Sequence, residues 1–186
     1  MIVLERWFFL TQAIVYNQRE WKKLVPLVSA GRYDEANNMA SQSKTAIGNI
    51  MSYGLARARS ARRRDDIEKA MEESLLEVTP RLERRTHYLA TFANVATLLG
   101  LLGTIIGLIR AFTPVAAANP AEKADMLSAS ISVAMNTTAF GLMVAIPLLL
   151  SHTWLQTKTT ELIDSLEMAS VKFLNTVTER AAAQAA

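Results

Sequence analysis

The sequence predicts an all-α membrane protein whose long transmembrane helices extend into a cytoplasmic helical domain. Three observations predict it. First, the 186 residues are 51% apolar and only 20% charged, and the two kinds are segregated. Residues 89–109 contain no Asp, Glu, Lys, Arg or His, and the same holds for residues 127–151. A hydrocarbon core of about 30 Å takes about 20 helical residues to cross, so each stretch is long enough. A soluble core helix is shorter and carries a polar face, and a chain of this size cannot bury two all-round apolar helices in one core. Second, the polar remainder places its apolar residues three or four apart, the period of a helix packed on one side. Third, no segment alternates as a strand would.

The elements follow in order. Residues 1–16, MIVLERWFFLTQAIVY, are apolar and aromatic but interrupted by Glu5 and Arg6. They are too short to span. The segment reads as the cytoplasmic end of a truncated first transmembrane helix, with Trp7 and Tyr16 as interfacial anchors; the alternative is a helix lying in the membrane interface. Residues 17–87 form a cytoplasmic helical region. Gly31 separates a first helix from RYDEANNMA, and Gly48 and Gly54 weaken the next helix without ending it. Asp65 and Asp66 open a further helix, with carboxylates in its first turn as the macrodipole favours. Ile67, Met71, Leu75 and Val78 make its apolar stripe. Pro80 marks a kink or restart, after which the helix is expected to run through Arg84 into the first span. Residues 88–112 and 126–152 are the spans, joined by an outer loop at 113–125. Pro147 removes one backbone donor near the end of the second span. Residues 153–186 form a C-terminal helix whose Leu162, Leu166, Ala169 and Phe173 share a face, to be packed on the Ile67–Val78 stripe or on a neighbouring subunit.

Charge placement sets the orientation. The net charge is only +3, but Lys and Arg crowd ahead of the first span, at residues 57–64 and 81–85. The inter-span loop carries Glu122, Lys123 and Asp125. The positive-inside rule therefore puts the region before residue 88 and the tail after residue 152 in the cytoplasm. Arg62, Arg63, Arg64, Arg84 and Arg85 are read as topology-setting juxtamembrane residues. A run such as RARSARRR also occurs in RNA-binding segments, but no aromatic side chain interleaves with it. Contact with anionic headgroups is the natural additional effect.

Several chemistries are excluded or unsupported. The chain has no cysteine, which rules out disulfides and thiol catalysis. His87 and His152 are not arranged as ligands, and no nucleophile-base arrangement or phosphate-binding loop stands out. The sequence suggests no enzyme, no cofactor and no metal.

The spans contain no ionisable residue at depth, since Arg110 and His152 lie at their ends and can snorkel. A membrane proton relay ordinarily needs a carboxylate or His at depth, so any titrating group would have to come from a partner. What the spans do contain is small and hydroxylated. Gly100, Gly103 and Gly107 give the first span a surface for close helix approach, and Gly103 and Gly107 form a GxxxG pair. Asn94, Thr97 and Thr104 fall near one face. In the second span Ser130, Ala134, Thr137 and Gly141 form a stripe, with Ser132, Asn136 and Thr138 beside it. Such residues either bond helices together, often through their own backbone, or line a polar path. The grouping of Asn136, Thr137 and Thr138 favours the path.

These residues carry a family resemblance. LLGLLGTIIGLIRAF (residues 98–112) and AMNTTAFGLMVAIPLLL (residues 134–150) resemble the two signature helices of the MotA/TolQ/ExbB proton-channel family. VLERWFFL is similar to the end of that family's first transmembrane helix, and GRYDEANNMA to its early cytoplasmic helix. Chain size and the single outer loop favour the ExbB/TolQ branch. The resemblance implies a ring-forming homo-oligomer, typically a pentamer, in the bacterial inner membrane. It implies a single-span partner of the ExbD/TolR type whose helix supplies an essential Asp, with proton-motive force converted into mechanical work on the cell envelope. It maps pore-lining threonines onto Thr104 and Thr138. Two departures stand out. Some members place a Glu where this chain has Val133, so a proton role for that Glu does not carry over. Most of the family's first transmembrane helix has no counterpart before Glu5 and Arg6. The competing expectation is a structural membrane scaffold in which the hydroxyls only join helices.

Overall fold

A computed structural model describes residues 1–58, 64–117 and 119–185. The described residues form helices and no strand: α1 (Ile2–Ser29), α2 (Tyr33–Gln42), α3 (Ala46–Ala58), α4 (Arg64–Glu83), α5 (Thr86–Ala117) and α6 (Pro120–Ala185). Two of them are long and apolar enough to cross a membrane. The chain divides into two compact units. One holds Val3–Arg84 and the part of α6 from Leu155 onward; the other is Arg85–Trp154.

The first unit is a helical domain with an apolar core. Leu24 and Val28 of α1, Ile47 and Met51 of α3, Ile67 and Met71 of α4 and Phe173 of α6 are all buried in it. The α6 face of Leu162, Leu166, Ala169 and Phe173 thus packs with the α4 stripe of the same chain. Gly54 makes room: a Cβ there would lie 2.8 Å from Met71 Sδ and 3.0 Å from Phe173 Cε1.

Local signals explain the helix ends. After α1 the Gly31 N–H donates to Val28 O (3.0 Å) and the Arg32 N–H to Leu27 O (2.9 Å), a Schellman closure. It needs the left-handed φ of 76° at Gly31. The α3 N-terminus is capped twice. Thr45 Oγ1 accepts the Gly48 N–H (3.1 Å), and Asn17 Oδ1, reaching over from α1, accepts the Ile47 N–H (2.7 Å).

Residues 1–16 open α1, which runs unbroken from Ile2 to Ser29. Its Arg6, Leu10 and Asn17 are buried, while Leu4, Trp7 and Phe8 are exposed. Two expectations differ from the structure. Pro80 starts no new helix, since α4 runs through it. The helix does not run through Arg84: α4 stops at Glu83, and Arg85 takes a φ of 68°. The physical reason is a left-handed C-terminal cap of the kind glycine usually makes, formed here by an arginine. Arg6 Nη2 donates to Leu82 O, satisfying a carbonyl that the ending helix leaves open.

Candidate functional site

The second unit is an antiparallel pair formed by α5 and the first part of α6. Between apolar helices in lipid, association rests on close packing and interhelical hydrogen bonds, because lipid chains are as apolar as the side chains. Small residues serve that packing. Ala93, Gly100 and Ala111 are buried on α5, and Ala134, Gly141 and Ala145 on α6. The helices meet backbone to backbone. A Cβ on Gly141 would lie 2.9 Å from Gly100 Cα and 2.8 Å from Ala96 O. A Cβ on Gly107 would lie 2.7 Å from Ala134 Cβ, and one on Gly103 would overlap Thr137 Cγ2. Gly100, Gly103 and Gly107 therefore oppose Gly141, Thr137 and Ala134 in turn.

The hydroxyls divide by partner. Thr138 Oγ1 donates across the seam to Gly100 O (3.0 Å). Thr104 Oγ1 donates within its own helix to Leu101 O (2.6 Å), Thr137 Oγ1 to Val133 O (3.1 Å) and Thr97 Oγ1 to Ala93 O (3.1 Å). Each hydroxyl proton is thus committed to a backbone carbonyl, and each oxygen keeps lone pairs with which to accept. Thr104 and Thr138 are half-buried, whereas Thr137 is exposed. Asn136 is exposed and its amide has no hydrogen-bond partner among the described residues; Asn94 is the same. Asn136 follows Ala134 by about 200° of helix turn, which points it away from α5. Val133 is 66% exposed.

The basic residues scatter. Arg62 and Arg63 lie outside the described residues. Arg64 Nη2 donates to Asn175 Oδ1 (2.8 Å), tying the start of α4 to α6. Arg84 and Arg85 form the turn after α4. Sequence reasoning missed Arg6 and Asn17 as structural residues. The only signal was a polar side chain in an otherwise apolar run, and it does not say which distant backbone group would be met.

With this seam in view, the family model described as the MotA/TolQ/ExbB proton channel family matches residues 42–168. The chain belongs to the MotA/TolQ/ExbB family. It falls with the ExbB/TolQ-like members. It is 32% identical over 135 residues to the ExbB homolog of Methanothermobacter thermautotrophicus, covering 72% of this chain and 46% of that protein. It is 47% identical over 53 residues to the biopolymer transport protein exbB1 of Vibrio cholerae, covering 28% and 23%. It is 34% identical over 84 residues to the Tol-Pal system protein TolQ of Haemophilus influenzae, covering 45% and 36%. The chain thus spans less than half the length of these relatives. Family membership and the two long apolar helices make it a membrane protein.

Proposed function

We propose that this chain is a subunit of an inner-membrane proton channel or motor which, with an ExbD/TolR-like partner, converts proton-motive force into mechanical work on the cell envelope. One observation carries the reading: two membrane-length helices with no ionisable residue at depth carry threonines whose hydroxyl protons are already donated to backbone. Such a wall accepts hydrogen bonds but cannot titrate. It suits a moving carboxylic acid on another chain. Protonated, that acid donates to Thr104 or Thr138; ionised, it is repelled by lone pairs and apolar surface and seeks water or a cation. A homo-oligomeric ring, a pentamer by family likeness, facing a partner with fewer acids cannot match every subunit at once, and proton passage then moves the partner stepwise. The unmatched amides of Asn94 and Asn136 support further helices beside this pair, since an amide facing hydrocarbon is costly. The basic residues around α4 support a cytoplasmic first unit, with the start of α6, near Lys123, outside.

Thr104 gives the cleaner test, because its hydroxyl bonds only its own helix. Thr104→Val, co-expressed with the partner, is expected to lower proton-linked activity at least tenfold, about 1.4 kcal/mol, at unchanged native mass. Thr104→Ser should retain activity. Full activity in the valine variant would overturn a role in the path.

A scaffold without ion conduction is the second reading, favoured by the Thr138 bond to Gly100 O. Under it, a Thr104→Val/Thr138→Val variant loses assembly before any ion flux changes.

A further inference from the structure

An unfilled groove of about 270 Å³ runs between α4 and α6 in the first unit. Its floor is apolar, with Met71, Leu75 and Val171, and its rim is acidic, with Glu68, Glu72 and Glu167. Val171 is 54% exposed, and neighbouring Leu76 is 67% exposed. The three rim carboxylates have no ion-pair partner among the described residues. Helix α4 carries seven acids against three bases.

The opposite character lies on α1. Its outer stripe holds Val15, Arg19 and Lys22 at helical spacing, all exposed. Neither Arg19 nor Lys22 has an ion-pair partner among the described residues.

The heights agree as well. α1 and α4 run antiparallel: Arg6 meets Leu82, and further along, Ala13 and Tyr16 share a hollow with Val78. Arg19 lies about 20 Å beyond Arg6 at the helical rise. The same step back along α4 from Leu82 reaches Lys69, which is flanked by Glu68 and Glu72. Lys69 itself faces the other flank, where it lines a separate cleft with Asp66 and Glu73. Copies in a closed ring are related by rotation without rise, so in a ring whose axis runs along α1 and α4 the mating patches share one height.

We propose that the α4/α6 groove of one copy receives the Val15–Arg19–Lys22 stripe of the next. Val15 meets the apolar floor, and Arg19 and Lys22 meet the glutamate rim. The contact is heterologous, one patch against a different one, which is the arrangement that closes rings. The inference rests on the proposed ring.

The chain has no cysteine of its own, so introduced ones report cleanly. Lys22→Cys/Glu72→Cys, purified with the partner and treated with a short bismaleimide, is expected to give a ladder of dimer, trimer and higher species. Each single variant alone should give none, and the two singles mixed during assembly should give dimer only. A Glu68→Lys/Glu72→Lys variant should lose the high-mass species, and adding Arg19→Glu/Lys22→Glu should restore it. An oligomer of normal mass without the ladder would overturn this interface while leaving the ring intact. A monomeric chain bound to its partner would overturn the ring itself.

Discussion

Gly141 shows what a single hydrogen atom does in this protein. Its α-carbon lies so close to Gly100 and to the Ala96 carbonyl that a methyl group would meet backbone, which cannot rotate away. Gly141→Ala therefore forces α5 and α6 apart and strains the Thr138 bond to Gly100 O. Overpacking of this kind costs about 1–3 kcal/mol, and the expected result is a lower midpoint of thermal unfolding in detergent with a greater loss for Gly141→Leu. Gly103→Ala should be milder, because the group it meets is the Thr137 methyl rather than backbone. Asn17 acts in the other unit. It is buried, donates to Ala13 O (2.7 Å) and accepts the Ile47 N–H. Asn17→Leu leaves that N–H without its partner, at about 1–3 kcal/mol. Denaturant unfolding should show a lower midpoint, and amide exchange at Ile47 should quicken.

At the scale of elements, the ends are set by left-handed turns of different cost. Gly31 adopts its φ freely. Gly31→Ala adds about 1–2 kcal/mol of backbone strain and also brings its methyl against the Arg180 guanidinium, so thermal unfolding should again shift downward. This turn was legible in the sequence, because a glycine between two polar helical patterns is where the chain can reverse without a Cβ penalty. The turn at Arg85 was not. Nothing about Arg-Arg says stop, and Pro80, the visible breaker, is tolerated inside α4. Arg6 satisfies Leu82 O at that end from across the chain, a contact which no local pattern encodes. The two apolar helices and the small faces along them were legible because lipid imposes composition as well as period. Which hydroxyl would cross the seam was not legible. Thr137 and Thr138 are neighbours, and only the register of Gly100 against Gly141 sends the second across and leaves the first on its own helix.

At the scale of the whole molecule, the proposed orientation puts the α1–α2 turn and the start of α6 on opposite sides of the membrane. Arg32→Cys and Lys123→Cys, each the sole cysteine of its variant, should react with a membrane-impermeant maleimide from the cytoplasmic and the outer side respectively; labelling of both from one side would contradict the assignment. In the proposed path these helices form the wall and another chain supplies the acid. The decisive measurement is proton flux into liposomes for the chain alone, for the chain with its single-span partner, and for the complex with the partner's membrane Asp changed to Asn. Flux is expected only in the second case. Flux through the chain alone at the rate of the complex would contradict it.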